Sequence, residues 1–397
     1  MKRIKVLNIL HHYVPYNYFE ITGYNEKSIN KFIQEIARFL KQFLLSFLNI
    51  KGFFSYSKLK GKTVFYVGTL NQYNSIKKIQ EKIPNSEIIS IRFNEEQLKG
   101  FKEIIYPNTT LAYLISIVLF PYFLYLFMVG SKRDKLRYRF FFYEHFLSLG
   151  LDVYWFLVFI FYKPQKVVIV NELKSEYRTF AFGAKKNNIP SFYIAHGVTF
   201  DFKNDLEPIC DHYLLSGKYE YEHYTKGKDT VNFYYVGRPL YDGLIIKEPV
   251  KIIQRIGICT NSLSDMNEVI SLIQKVKDSF NVEVCYRPHP GHNENKEKEF
   301  CSTYDLQYSN SNSIKSRDFL RNVDLIISGE SSIIIEAVYS GVYSVIFPFD
   351  NKFSDLQKFV ENKVTKYCKD FTSLKQFLKH LIFNFEHISK YVYNEYY

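Results

Sequence analysis

From Val167 onward, short apolar runs alternate with segments of helical spacing, and each run stops at small, polar or charged residues. Val167–Val170 ends in Asn171-Glu172, and Ser191–Ala195 ends in His196-Gly197. His212–Leu215 ends in Ser216-Gly217, and Phe233–Val236 ends in Gly237-Arg238-Pro239. A second array begins at Ile252–Cys259. It continues through Val282–Tyr286, which ends in Arg287-Pro288-His289-Pro290, and Val323–Ile327, which ends in Ser328-Gly329-Glu330-Ser331-Ser332. Ser344–Phe347 is its last run. Runs this short and this apolar are buried strands. Alternation with helices makes the sheets parallel and the crossovers right-handed. The expected fold class is therefore α/β, with two Rossmann-like doubly wound domains facing a cleft. In such sheets ligands sit outside the carboxyl ends of the strands, where the punctuating residues stand.

The arrays set the expected domains. Residues 1–240 form an N-terminal domain and 251–370 a C-terminal domain, joined by a linker within 238–250 that holds Pro239, Gly243 and Pro249. Residues 371–397 add terminal helices. The N-terminal 150 residues are the least readable. They contain a helix over 28–48, strands over 63–67 and 87–91, and a helix over 75–82. Leu111–Val129 carries no charge and approaches the length of a membrane span, roughly 20 residues. Pro121 interrupts it, and Lys132, Arg133, Lys135, Arg137 and Arg139 follow at once. The expectation is a membrane-facing element with a basic flank for anionic headgroups. The alternatives are a pair of buried helices and a true membrane span. Val153–Tyr162 reads as core, because the strand at Val167 follows so closely.

Composition narrows the function. A net charge of +12 suits anionic partners. Nucleic acid is not expected among them, since no arginine-rich arm, zinc-finger spacing or aromatic RNA-binding motif occurs. With 37 Phe and 34 Tyr there is ample apolar material for two cores. The five cysteines are scattered and form no C-x-x-C pair, so buried free thiols are expected. The basic N-terminus lacks a small-residue cleavage site, and no secretory signal is expected. The chain is placed in the cytoplasm, peripheral at the inner face of the cytoplasmic membrane.

The chemistry concentrates in the second array. Arg287 offers a fork of donors to a phosphate. His289, stiffened by Pro288 and Pro290, adds an imidazole, and His292 is a weaker candidate. Ser331 and Ser332 stand where a helix N-cap is expected. The same helix start is an anion site, with Gly329 allowing backbone to approach the ligand. Glu336, one turn into the helix, is placed to accept ribose hydroxyls. Thr260 ends the first strand of the second array and either lines the phosphates or forms a turn. In the first array His196 and Glu172 end strands and compete as general base. No phosphate-loop, dinucleotide or serine-hydrolase motif is present. No D-x-D pair ends a strand, so neither a metal nor a cofactor is expected.

His289-Pro290, Ser331-Ser332 and His196-Gly197, in this fold order, resemble motifs of the GT-B glycosyltransferases of bacterial capsule and lipopolysaccharide synthesis. The resemblance is to transferases that use CMP-sialic acid or CMP-Kdo, and to the CDP-glycerol glycerophosphotransferases of teichoic acid synthesis. Gly237-Arg238-Pro239 is similar to the frame of the nonhydrolysing UDP-GlcNAc 2-epimerases. The resemblance covers residues 167–349. It implies a metal-independent, inverting transfer of a sugar from a nucleotide donor, CMP-linked first, to a glycan or glycolipid acceptor. A glycerophosphotransferase, an epimerase or a non-catalytic capsule-assembly protein are the alternatives.

Overall fold

The computed structural model describes residues 29–90, 104–195, 208–217, 231–237, 246–349 and 360–383, with short gaps at 50–51, 53–54, 173, 216, 249, 251, 262–263 and 362–363. The chain separates into two compact units, Met1–Leu240 and Tyr241–Tyr397.

Unit 1 opens with helix α1 (Ile29–Phe47) and a short 3-10 turn (Tyr56–Leu59), then strand β1 (Thr63–Tyr66). Helix α2 (Leu70–Glu81) starts five residues before the sequence expectation. Thr69 caps it, its side chain accepting from the Gln72 N–H, and that signal is easily missed in a polar stretch. Strands β2 (Ser86–Ile89) and β3 (Ile104–Ile105) follow. Next come helices α3 (Thr110–Val118), α4 (Phe120–Val129), α5 (Lys132–Phe140) and α6 (Phe142–Phe161). Strand β4 (Lys166–Ile169), helix α7 (Ser175–Lys186) and strands β5 (Ser191–Ile194), β6 (His212–Leu215) and β7 (Asn232–Tyr235) complete the described part. The sheet is wholly parallel, in the order β3-β2-β1-β4-β5-β6-β7.

The apolar stretch 111–129 is two helices, α3 and α4, that meet at Leu119 at an angle of 57°. Pro121 lies in the first turn of α4, where its missing N–H costs no hydrogen bond. Among the described residues, α6 is the one helix long and apolar enough to cross a membrane. It is a core helix instead, packed against both α3 and α7. Gly150 lets α6 close on α3, since a Cβ there would collide with the Ala112 carbonyl. Trp155 and Phe159 are fully buried beside Phe180.

Unit 2 contains β8 (Arg255–Cys259), α8 (Met266–Ser279), β9 (Glu283–Arg287), α9 (Glu294–Thr303), β10 (Gln307–Tyr308) and α10 (Ser316–Arg321). These are followed by β11 (Leu325–Ser328), α11 (Ser332–Tyr339), β12 (Tyr343–Ile346), β13 (Lys366–Tyr367) and α12 (Phe371–Phe383). The order β10-β9-β8-β11-β12-β13 is again all parallel. The elements α9, β10 and α10, between the two motif-bearing strands, go beyond the sequence expectation. Helix α9 has no apolar stripe, and it is set by Asn293, whose side chain accepts from the N–H groups of Asn295 and Lys296. Strand β10 is too short to leave a pattern. Both sheets are Rossmann-like, so the α/β fold with two doubly wound domains stands. All five cysteines are buried and free, and burial raises the Cys259 thiol to about 12 and the Cys285 thiol to about 11.

Candidate functional site

In unit 2 the strand order reverses between β8 and β11, which makes the carboxyl ends of these strands the topological switch point. Strands β9 and β11 flank β8, so Arg287 and Ser328 end strands separated by two inter-strand spacings, about 10 Å. Three motif-bearing segments therefore converge at the carboxyl end of the sheet.

The Ser328 hydroxyl is buried and donates to the Cys259 carbonyl at 2.9 Å, fastening β11 to β8. Thr260 is also buried. Its N–H donates to the Arg287 carbonyl at 3.1 Å, and its hydroxyl lies 3.5 Å from that of Tyr286. Thr260 is thus part of the frame beneath the loop. Asn261 does the bridging, its side-chain amide donating to the Glu330 carbonyl at 3.3 Å. A Cβ at Gly329 would stand 3.1 Å from that amide nitrogen, so glycine permits the two loops to touch. Ser262 lies outside the described residues.

Ser331 occupies the N-cap of α11 in extended conformation, φ −150° and ψ 149°. Its side chain makes no capping bond. Ser331 is half-buried and Ser332 exposed. Capping, the plainer role for the serine pair, is not what Ser331 does. The N–H of Ile334 donates to the Ser331 carbonyl at 3.1 Å; those of Ser332 and Ile333 before it have no acceptor within the helix, and the positive end of its dipole adds to their pull on an anion.

Arg287 is buried, 7% exposed. One terminal nitrogen donates to Ser309 Oγ at 3.1 Å and the other to the Ile314 carbonyl at 2.9 Å, while the guanidinium lies 5.2 Å from the centroid of the Phe319 ring. Burial lowers its pKa from the usual guanidinium value, though an arginine so placed stays charged. The side chain that the sequence offers as a phosphate clamp is thus also a strut for the loop after β10. Ser309, Ile314 and Phe319 leave no signal in the sequence, because they are loop and short-helix residues joined to Arg287 only by tertiary folding.

His289 is half-buried. Its Nδ1 accepts from the Gly291 N–H at 3.1 Å, so in the neutral ring the proton sits on Nε2. Burial, with the neighbouring His292, holds its pKa below the ordinary imidazole value. It is therefore a neutral ring with one donor, Nε2–H. His292 is turned to Glu297, Nδ1 to Oε1 at 3.1 Å. Glu336 is half-buried and accepts the hydroxyl of Ser316 from α10.

In unit 1 the order reverses between β1 and β4, and Glu172 follows β4. Glu172 is 5% exposed, and its Oε2 accepts the Tyr213 hydroxyl at 2.5 Å. The Tyr213 oxygen itself accepts the Ile209 N–H at 2.9 Å. Arg178, almost fully buried, donates weakly to the Glu172 main-chain carbonyl at 3.5 Å. Burial and the Glu172 charge push the Tyr213 phenol well above its usual pKa. Sequence reasoning misses Tyr213 and Arg178, which read as ordinary strand and helix residues. His196 and Gly197 lie outside the described residues.

No family model matches the chain, and no curated protein matches it in sequence. Solved structures do match in fold. The UDP-GlcNAc 2-epimerase of Neisseria meningitidis, bound to UDP-GlcNAc, superposes with a TM-score of 0.55 at 13% identity, over 84% of this chain and 94% of that one. CalG4, the calicheamicin glycosyltransferase, does so with a TM-score of 0.52 at 10% identity, over 84% and 92%. MurG of Acinetobacter baumannii gives 0.50 at 12%, over 81% and 90%. At these identities the likeness establishes the shared two-domain α/β fold.

Proposed function

We propose that this chain is a glycosyltransferase that moves a sugar from a nucleotide donor to a glycan or glycolipid acceptor of the bacterial surface. The observation that carries this reading is the uncapped start of α11 at the switch point of unit 2, across β8 from the strand that leads to His289 and its Nε2 donor. A diphosphate or a phosphodiester bound there would accept from both sides. His289, the hydroxyls of Ser331 and Ser332 and the first N–H groups of α11 meet the charge that develops on the departing phosphate. Fixed donors of this kind supply the largest single contribution in many enzymes. Arg287 contributes positive charge from behind while holding the β10 loop. Glu336, oriented by Ser316, takes the ribose hydroxyls. His196 removes the acceptor proton, and direct attack inverts the anomeric centre. Glu172 orders Tyr213. A cytidine nucleotide is the first donor to test, on the resemblance of His289-Pro290 and Ser331-Ser332 to the CMP-sugar transferases.

Thermal-shift titration with CMP, CDP, UDP and GDP tests the site, because a ligand that binds only the folded chain raises its melting temperature. No shift with any of the four refutes it. A second reading, nucleotide-sugar epimerisation, is supported by epimerases among the fold neighbours. Incubation of nucleotide sugars with and without acceptor separates the two. Free nucleotide that accumulates only with acceptor supports transfer, and a changed sugar without acceptor supports epimerisation.

A further inference from the structure

Unit 1 leaves an unusual amount of apolar side chain in solvent, and the exposure is regular. On α3 the residues Leu111, Leu114, Ile117 and Val118 are 43–77% exposed, while Ala112, Tyr113 and Ser116 on the opposite stripe are buried. On α4 the same division holds. Leu124, Tyr125, Met128 and Val129 are 42–65% exposed, and Phe123 and Leu126 are buried. Helix α1 adds Leu40, Leu44, Leu45 and Phe47 at 43–66%. It lies against α3, with Ser46 hydrogen-bonded to Thr110 at 2.9 Å and Phe43 packed on Tyr113. These helices are apolar on both stripes, and an ordinary soluble surface rarely carries so large a patch.

The charge beside the patch is basic. Helix α5 packs on both α1 and α4 and carries Lys132, Arg133, Lys135, Arg137 and Arg139 against one acid, Asp134. Arg139 is exposed, with its guanidinium 5.7 Å from the centroid of the Phe127 ring. Arg38 and Lys41 of α1 are exposed as well, whereas Glu35 of the same helix is buried.

We propose that the outer face of α1, α3 and α4 docks on an anionic lipid bilayer, with α5 at headgroup level. The bend decides how deep it goes. The arms of 9 and 10 residues each reach about 14–15 Å at 1.5 Å per residue, half of a hydrocarbon core of roughly 30 Å. Their inner stripes remain committed to the protein core. The pair therefore wedges into one leaflet and does not span. Lysines and arginines beside such a wedge favour anionic headgroups over neutral ones. The proposal is independent of the nucleotide site, which lies in unit 2.

Flotation of the full chain with vesicles tests it, using phosphatidylcholine with and without phosphatidylglycerol. The expected result is strong recovery with the anionic vesicles and weak recovery with the neutral ones. The variant Leu44→Asp/Val118→Asp/Met128→Asp changes only side chains already at least 65% exposed. It should melt like the parent, give the same shift with nucleotide, and lose recovery by about tenfold or more. Absence of flotation by the parent chain overturns the proposal. So does equal recovery with both vesicle types, or undiminished recovery of the triple variant. A self-associated dimer that the same substitutions dissociate, without vesicle binding, assigns the face to a second copy of the chain instead.

Discussion

Arg287→Lys separates support from ligand binding. The guanidinium reaches two acceptors at once, Ser309 Oγ at 3.1 Å and the Ile314 carbonyl at 2.9 Å, and faces Phe319 at 5.2 Å. A lysine keeps the charge but not the fork. It can satisfy one acceptor and leaves the other short. A hydrogen bond from a charged donor contributes about 1.5–3 kcal/mol, and the ring contact adds about 0.5–1 kcal/mol. The substitution should cost about 2–4 kcal/mol in unit 2. For a unit of about 150 residues, each kcal/mol moves the melting temperature by about 2–4 °C, so the transition should fall by about 5–15 °C. Calorimetry and urea unfolding measure this directly. The nucleotide-induced shift should persist, because His289 and the start of α11 are untouched. A variant that melts like the parent yet has lost its nucleotide shift would refute the argument and make Arg287 a ligand rather than a strut.

Five further outcomes are expected. His289→Ala should lower turnover on the order of 10²-fold or more, and a fully active variant would remove His289 from the site. His196→Ala should keep nucleotide affinity while turnover falls about 10²–10⁴-fold. Glu172→Gln should instead destabilise unit 1, by about 1–2 kcal/mol, because the hydrogen bond from the Tyr213 hydroxyl loses its charged acceptor; a stable, nucleotide-binding but dead Glu172→Gln would transfer the base role to Glu172. Gly150→Ala should destabilise unit 1 by about 1–3 kcal/mol, since the new methyl meets the Ala112 carbonyl, and an unchanged melt would show that α6 and α3 are free to part. Finally, burial tends to raise the Asp324 carboxyl, but Lys247 at 2.7 Å and the N–H groups of Gln254 and Arg255 outweigh it and leave the pKa lowered. Asp324 therefore stabilises unit 2 fully above the ordinary carboxylate value near 4, and this contribution disappears as the pH falls through the lowered folded value. Urea midpoints of the parent and Asp324→Asn, measured from neutral to acid pH, should converge only at the acid end.

The sheets are legible in the sequence because each central strand is a short apolar run ended by a polar or glycine residue. Val167, Val168, Leu325, Ile326, Ile327 and Val345 are all interior, as their pattern requires. Loops that close on the site from elsewhere are not legible. Nothing local to Ser309 or Ser316 foretells that one meets Arg287 and the other Glu336. The same limit hides Tyr213, whose hydroxyl acquires its purpose only when β6 lies two strands from β4. The apolar stretch 111–129 is visible at once and Pro121 marks its break, but the 57° between the two arms is a matter of tertiary packing that composition does not encode.

The helices α3 to α6 occupy the crossover between β3 and β4. Thr63 of β1 pairs with Lys166 of β4, so these two neighbouring strands of unit 1 meet only after a loop of about a hundred residues has closed. Until Lys166 has left the ribosome, β1 lacks one of its two neighbours. The three most apolar helices among the described residues, α3, α4 and α6, emerge during that interval, with no completed sheet to receive them. Pairings this distant in sequence form slowly. The nascent chain thus passes through a stage in which its apolar insert is complete and its scaffold is not, and that stage is when it is most exposed to aggregation or to capture by a nearby surface.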